Sequence, residues 1–473
     1  MEMGEHKLTS RSKSIPISLI KKTFLIIPFI MMGISCQTVN QLWQGTPIIQ
    51  PSPTLTLTIT ASATTVPTNT LTPTNSPTPT ATITPTPTIV ITPSAQQIEI
   101  FDELWQIVRD EYLYPDFNGL DWNAIRDDYR SQIEAGMTDD NFYLAMDEMI
   151  SRLGDDHSVF LNPVEAREED ATYSGNNDYV GIGVLVSSIP ERDRAVILTV
   201  FPGSPAFEAG LQPRDSILTV DGEPILDEDG FLRDILRGPE GSQVTLSVQT
   251  PGGDPRQEQI TRRKISGAVP VPNEVLSSPS GKRIGYILLV TFNDGTIDDQ
   301  IGKVLNEMTS QSPLDGLIID NRQNSGGADT ILRGVLGYFT SGSLGYFISR
   351  ETERPLQVDQ LDINGSQQLP LVVLVGPGTA SYGEVFSGVL KDVSRAYLIG
   401  ETTDGNVETL WGYDFDDGSR AWLAHESFRP INHQEDDWEE SGIIPDQTVI
   451  AGWDEYSLDN DPVVQAALEY FGQ

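Results

Sequence analysis

Apolar residues recur with helical spacing from about residue 99 onward. Two sets fall on single helix faces: Ile100, Leu104, Ile107, Val108 and Tyr112, then Trp122, Ile125 and Tyr129. A third helix is expected after Thr138, which suits an N-cap because Asp139 and Asp140 follow it. Gly154 is expected to end that helix. The spacing therefore predicts a small helical domain over residues 99–170.

The pattern then changes twice. Between residues 173 and 266, short alternating apolar runs are separated by glycine and proline, which predicts short strands and turns. From residue 280 to 473, buried β-branched runs alternate with helices. The expected elements are strands at Ile284–Thr291, Gly316–Asp320 and Leu371–Val375, and a helix at Val385–Asp392. The prediction is a multidomain α+β protein whose last domain is α/β.

Residues 37–98 lack the composition of a folded domain with a buried core. No charged residue occurs between residues 37 and 98, and positions 51–95 contain 17 Thr and 9 Pro. Such a composition favours polyproline II and disorder. We expect residues 36–98 to form a disordered stalk.

Residues 1–35 have the features of a secretion signal. Five basic residues precede an apolar run at Phe24–Ile34, which is followed by Cys36, the one cysteine of the chain. The segment resembles a bacterial lipoprotein signal, although Gly33 stands where leucine is usual. The resemblance implies lipidation at Cys36 and an extracytoplasmic protein anchored to a membrane at the cell surface or envelope. Simple secretion and an uncleaved anchor remain alternatives.

Composition narrows the possible partners and chemistry. The 30 Lys and Arg against 68 Asp and Glu give a net charge of −38, which argues against nucleic acid as a partner. A single cysteine excludes an intramolecular disulfide and a cysteine-based zinc cluster. We expect no cofactor and no metal.

Several segments between residues 173 and 266 together resemble a PDZ domain, a partly open β-barrel with helices. They are Gly181-Ile182-Gly183-Val184, Pro202–Ala206, Ala209–Leu211 and Asp215–Gly222. The resemblance implies that backbone amides of Gly181, Ile182, Gly183 and Val184 bind the carboxylate of a peptide that adds as a strand. Arg214 replaces the glycine usual before Asp215, which we expect to disturb a turn and not the binding groove.

Two segments of the last domain could carry chemistry. Asp320–Gly327 runs from a strand into a glycine-rich turn, and Thr379–Glu384 joins a strand to a helix. A serine at such a junction, Ser381, would expose its hydroxyl beside helix N-terminal amides that can stabilise an oxyanion. Ser381 with Glu384 is also a capping box, a purely structural alternative.

The order of these motifs, with Gly442–Asp446 after them, resembles the carboxyl-terminal processing (tail-specific) serine proteases from residue 99 onward. The resemblance implies a crotonase-like (ClpP-like) core with Ser381 as nucleophile. Gly383 stands where a second serine is common, and Asn406 where the family has its lysine. Lys391 is no substitute, since ten helical residues span about 15 Å.

A second branch of this superfamily, which includes the tricorn-like proteases, uses histidine as base and a late glutamate to orient it. Leu153–Ser158 resembles its histidine element, which implies His157 as base, and Glu439, beside Glu440, as orienter. Amides of Gly326 or Gly327 and of Tyr382 would form the oxyanion hole. The structural alternative for His157 is a surface turn residue. We expect His425 and His433 to be exposed.

These features predict a surface-anchored serine endopeptidase that cuts near the C-termini of unfolded or tagged proteins, with the PDZ domain binding the substrate's free C-terminus. Activity should rise with pH near the ordinary histidine pKa of about 6.5. The alternative is a catalytically inactive PDZ-containing peptide-binding protein on a protease scaffold, which Asn406 favours.

Overall fold

The computed structural model describes residues 92–155, 157–174 and 179–472. The secretion signal, Cys36 and most of the expected stalk lie outside these residues. In the part of the chain that is described, no helix is long and apolar enough to cross a membrane.

The three expected helices form at the start of the described chain: α1 (Ala95–Glu111), α2 (Trp122–Glu134) and α3 (Asp139–Ser151). Helix α1 begins four residues before the expected boundary because the Ser94 side chain accepts a hydrogen bond from the Gln97 amide. Thr138 caps α3 through the Asn141 amide, as expected. The apolar faces of the helices pack together and onto a β-sheet of the last domain through Ala421, Leu423 and Ala424.

The middle of the chain forms a five-stranded antiparallel sheet with small additions. After β1 (Val159–Leu161) and α4 (Pro163–Tyr173), its elements are β2 (Tyr179–Gly181), β3 (Val184–Ile189), β4 (Arg194–Val200), α5 (Pro205–Glu208), β5 (Ser216–Val220), β6 (Glu223–Pro224), β7 (Gln243–Gln249), β8 (Arg256–Thr261) and β9 (Arg263–Ile265). The order is β3-β4-β5-β7-β8, with β6 paired to β5, and β2 pairs with β9. Strand β3 is therefore an edge strand of this sheet.

We expected more than one helix in this region, but its described residues form a single α-helix, α5. Helix α5 has four residues, and the described segment between β6 and β7 contains no helix. Asp227 organises that segment into a turn instead, because its Oδ1 accepts hydrogen bonds from the amides of Asp229 and Phe231.

The last domain contains two sheets. Its elements are β10 (Asn273–Ser277), β11 (Arg283–Leu288), α6 (Ile297–Thr309), β12 (Gly316–Asp320), α7 (Asp329–Gly337), β13 (Gly342–Ile348), β14 (Glu353–Val358), β15 (Leu371–Val375), α8 (Tyr382–Asp392), β16 (Tyr397–Gly400), β17 (Thr409–Asp414), β18 (Arg420–Pro430), α9 (Trp438–Ser441), β19 (Gln447–Thr448) and α10 (Pro462–Gly472).

The first sheet has the order β10-β11-β12-β15-β16-β19, and all its pairs except β10–β11 are parallel. Apolar side chains cover both faces, with Leu317 and Ile319 on one and Ile318 on the other. Burial on both faces explains why β12 and β15 are continuous apolar runs. The second sheet has the order β1-β18-β13-β14, with β17 paired to β18.

Arg214 joins the middle domain to the last one, a role that the sequence did not indicate. Its φ is +78° and it is 4 % exposed. Its guanidinium donates to Asp461 at 2.7 Å and stacks 4.1 Å from the Trp453 ring centre. Arg322 also donates to Asp461, at 2.7 Å. It binds Asp320 with both Nε and Nη2, at 2.9 and 2.6 Å.

We call Arg214, Asp320, Arg322 and Asp461 the domain-joining cluster. Burial raises the pKa of Asp461, but Arg322 and Arg214 outweigh burial and hold it below its usual value. Two cations and two anions balance, so each buried charge has a partner. Val196 and Leu198 of β4 add apolar contact with the same domain.

Candidate active site

Ser381 lies at the junction of β15 and α8 in a strained backbone conformation. Its φ of 52° and ψ of −129° are unusual for a residue other than glycine. Its amide donates to the Asn406 carbonyl at 2.6 Å, which holds the turn. Among the described residues its hydroxyl makes no hydrogen bond, so the half-buried side chain is free to react.

The capping-box alternative does not hold. Glu384 turns away from Ser381, and its carboxylate accepts hydrogen bonds from the Thr403 hydroxyl and from the amides of Gly405 and Asn406. Burial raises the pKa of Glu384 to about 7. Glu384 therefore fixes the segment that faces Ser381.

The glycine turn packs directly on the serine. A Cβ on Gly326 would lie 2.7 Å from Cβ and 2.9 Å from Oγ of Ser381, so only glycine fits there. The Gly326 amide donates to Asn324 Oδ1 at 3.0 Å. Gly326 and Gly327 were both proposed for the oxyanion hole. The amide of Gly326 already donates within the protein, so it is not available to an oxyanion. The amides of Gly327 and Tyr382 have no acceptor among the described residues.

The same turn explains the missing second serine. A Cβ on Gly383 would lie 2.3 Å from the Asn324 carbonyl oxygen. This oxygen also accepts the Ala380 amide at 3.0 Å, so it cannot easily move away. A serine at position 383 is incompatible with this packing.

His157 and Glu439 come together although 282 residues separate them. Nε2 of His157 lies 3.1 Å from Oε1 of Glu439, and His157 is 6 % exposed, which excludes a surface turn residue. The other oxygen of Glu439 accepts the amides of Val407 and Glu408 at 2.6 and 3.1 Å. Glu440, its neighbour, is exposed.

Two acidic residues that the sequence did not single out complete the surroundings of His157. Asp155 Oδ1 accepts the His157 amide at 3.0 Å and so fixes its loop. Oε2 of Glu408 lies 3.8 Å from His157 Nε2, and its Oε1 accepts a hydrogen bond from the Tyr114 hydroxyl. The position of Glu408, two residues after Asn406, is the one sequence signal that could have identified it.

We call His157, Glu408 and Glu439 the histidine cluster. Burial lowers the pKa of His157, but the hydrogen bond to Glu439 and the neighbouring carboxylates outweigh burial and raise it to about 9. This corrects the expectation of a value near 6.5. Burial raises the pKa of Glu408 to about 7, against the opposing effect of His157.

The segment Asn406–Glu408 connects the serine to the histidine. Its first carbonyl accepts the Ser381 amide, and its last two amides bind the carboxylate that holds His157. Within the described residues no hydrogen bond joins Ser381 to His157 directly. The backbone of Asn406 thus lies beside Ser381.

The other candidate bases lie elsewhere. Lys391 donates to the Ile444 carbonyl at 2.6 Å and pairs with Asp446. His433 is exposed and pairs with Asp392 at 2.7 Å. His425 was expected to be exposed but is 7 % exposed on β18, where its Nδ1 lies 2.8 Å from the Glu111 carbonyl. The helices of the N-terminal domain cover this strand, which explains the error.

The expected carboxylate-binding loop joins β2 to β3. Gly183 has a φ of +84°, and a Cβ there would lie 2.2 Å from Cβ of Ser204, so glycine is required. The ring of Tyr179 packs over Gly181.

Comparison with known proteins finds a matching family model for each of three regions. Residues 283–449 match peptidase family S41, residues 196–250 match the PDZ domain, and residues 93–151 match the tricorn protease C1 domain.

Similarity to individual proteins extends over more than three quarters of the chain. The carboxyl-terminal-processing protease of Picosynechococcus is 30 % identical over 387 residues, 78 % of this chain and 88 % of that protein. The protease of the same name from Synechocystis is 28 % identical and covers 79 % and 87 %. The solved structure of the photosystem II D1 C-terminal processing protease, 28 % identical, covers 75 % of this chain and 93 % of its own with a TM-score of 0.53. This chain, a mixed α/β multidomain protein with a PDZ domain, therefore belongs to the carboxyl-terminal-processing proteases of family S41, which are serine-type peptidases.

Proposed function

We propose that the protein is a serine endopeptidase in which Ser381 is the nucleophile, His157 the base and Glu439 the residue that orients it. The observation that carries this proposal is the free Ser381 hydroxyl on a strained turn, tied through Asn406–Glu408 to the His157–Glu439 pair. Asn406 supplies no amine, so imidazole takes the role that lysine has elsewhere in the family.

The proton transfers follow from which nitrogen faces Glu439. With the Nε2 proton donated to Glu439, Nδ1 of His157 carries the lone pair that accepts the Ser381 proton. Ser381 Oγ then bonds to the substrate carbonyl carbon, and the amides of Gly327 and Tyr382 stabilise the oxyanion. The imidazolium returns its proton to the leaving amine as the peptide bond breaks. Water hydrolyses the acyl-enzyme by the reverse sequence of proton transfers.

Labelling with a fluorophosphonate tests the nucleophile. The wild type should be labelled at one residue, and Ser381→Ala should not be labelled. The exposed Ser312 provides a matched control, since Ser312→Ala should be labelled like the wild type. A wild type that is neither labelled nor hydrolytic would favour the inactive peptide-binding alternative.

We further propose that the PDZ domain binds the free C-terminus of an unfolded or tagged protein substrate. The edge position of β3 supports this, because an extended peptide can add to its free side while the Gly181–Val184 loop receives the carboxylate. Peptides with free apolar C-termini should bind in a fluorescence titration, and amidated versions should not. Equal affinity for both forms would contradict the proposal.

For the N-terminal region we propose lipidation at Cys36 and anchoring to a membrane outside the cytoplasm. The basic and apolar pattern before Cys36 supports it. The wild type should sediment with membranes, whereas Cys36→Ala should be released. A wholly soluble wild type would contradict anchoring.

A further inference from the structure

The histidine cluster has a second chemical capacity besides proton transfer. One ring nitrogen of His157 and one oxygen from each of Glu408 and Glu439 all lie within 4.8 Å of one another. From these contacts we infer that the cluster is a binding site for a divalent transition-metal ion such as Zn²⁺ or Co²⁺. We also infer that the bound ion inhibits the peptidase, a consequence that rests on the proposed function.

The first support is an unsatisfied oxygen. Oε2 of Glu408 is buried and has no hydrogen-bond partner among the described residues, and the side chain is 2 % exposed. It points toward His157 Nε2, at 3.8 Å. A buried carboxylate oxygen without a partner carries a desolvation cost that a bound cation would remove.

The second support is the way each carboxylate is held. Glu439 uses Oε2 to accept two backbone amides, which leaves Oε1 turned to His157. Glu408 uses Oε1 to accept the Tyr114 hydroxyl, which leaves Oε2 turned to the same nitrogen. One oxygen fixed by the protein and one directed inward is the usual arrangement of carboxylate ligands, whose orientation depends on such outer hydrogen bonds.

The two distances from His157 Nε2 fit a tetrahedral ion after a small adjustment. Metal–ligand bonds of about 2.1 Å place two ligands of a tetrahedral Zn²⁺ roughly 3.4 Å apart. The separations of His157 Nε2 from Glu439 Oε1 and from Glu408 Oε2, 3.1 and 3.8 Å, lie on either side of this value. A water molecule would supply the fourth ligand, and the side chain of Glu439, 28 % exposed, leaves a path from solvent.

Charge and ligand type select the ion. When all three ligands are deprotonated, two carboxylates and a neutral imidazole sum to −2, which one divalent cation balances, so binding releases the protons that the metal-free cluster holds. Imidazole nitrogen suits Zn²⁺, Co²⁺ and related ions, whereas Mg²⁺ and Ca²⁺ prefer oxygen ligands alone. Because the ion would occupy the same Nε2 and Oε1 that join base and orienter, it would prevent His157 from being held by Glu439.

Binding can be tested without measuring activity. Co²⁺ titrated into the metal-free full chain should give visible d–d absorption that saturates at one ion per chain and is displaced by Zn²⁺. Glu408→Gln and Glu439→Gln should each weaken Co²⁺ binding by about 10–100-fold or more. Glu440→Gln and His433→Ala should bind as the wild type does, and a thermal melt of each variant establishes that it is folded.

The possible outcomes test metal binding and inhibition of the peptidase separately. Equal Co²⁺ affinity in the wild type and in both folded Glu→Gln variants would overturn the site, as would loss of binding in His433→Ala alone. Zn²⁺ should reduce peptide hydrolysis reversibly, with recovery on adding a chelator. Binding at the cluster without loss of hydrolysis would overturn the inhibition. If the metal-free protein hydrolyses nothing, the proposed function fails, while the Co²⁺ titration still decides the site.

Discussion

The domain-joining cluster and the histidine cluster are both buried groups of charged residues from distant parts of the chain. They differ in how well their positive and negative charges balance. In the first, two arginines and two aspartates pair closely, and Asp461 keeps a low pKa. In the second, two carboxylates share one imidazole, and the pKa of His157 rises to about 9. A balanced cluster resists any change of protonation and suits a structural role. An unbalanced one changes protonation readily, which catalysis requires.

The largest expected effect is on hydrolysis, at the histidine cluster. His157→Ala should lower kcat/KM by about 10³-fold or more, because among the described residues we assign no other base to the serine proton. The measurement is peptide cleavage by the purified variant. If Ser381→Ala abolishes cleavage and His157→Ala does not, His157 is not the base.

The next effect concerns stability, at the domain-joining cluster. Asp461→Asn leaves two buried arginines with a single carboxylate, so it should cost about 3 kcal/mol of unfolding free energy. Denaturant unfolding measures the loss, and Asp459→Asn is the control, since Asp459 is exposed. Hydrolysis by the folded variant should stay close to that of the wild type. A large loss of kcat/KM without destabilisation would show that the two clusters are not separate in role.

A smaller effect is a shift of the pH profile. Only neutral imidazole accepts the serine proton, so kcat/KM should rise about tenfold per pH unit and level off near pH 9. Glu408→Gln removes a negative charge beside His157 and should lower the midpoint by about one unit or more. The raised pKa also stabilises the fold below the unfolded value of about 6.5, a contribution lost as pH rises through about 9. An unshifted midpoint in Glu408→Gln would mean that Glu408 does not act on the base.

The smallest effect is expected at Asn406. Its contacts with Ser381 and Glu384 are made by backbone atoms. Asn406→Ala should therefore keep kcat/KM within about twofold, which corresponds to roughly 0.5 kcal/mol. A loss comparable to that of His157→Ala would assign the amide a role in proton transfer.

Local pattern was sufficient for much of the fold. Strands Gly316–Asp320 and Leu371–Val375 have the expected bounds, because each is a buried apolar run. Thr138 caps its helix as its sequence context indicates. The carboxyl-terminal-processing family was also correctly identified, since its motifs are short and continuous.

Pattern failed where distant residues decide the outcome. Tyr114 meets Glu408 across 294 residues, and Arg214 meets Asp461 across 247. His425 is buried because helices from the other end of the chain cover its strand. The spacing of apolar residues along the chain contains no information about such contacts. The roles given to Ser381, His157 and Glu439 stay predictions, as do the crotonase-like topology, the domain boundaries and the lipid anchor.

The pairing of Arg214 with Asp461 also sets an order of events during protein synthesis. Asp461 is made 247 residues after Arg214, which at about 5–20 residues per second is a delay of roughly 12–50 s. Throughout that interval Arg214 lacks this partner. The buried ion pair that joins the middle domain to the last one therefore forms only after Asp461 has been synthesised.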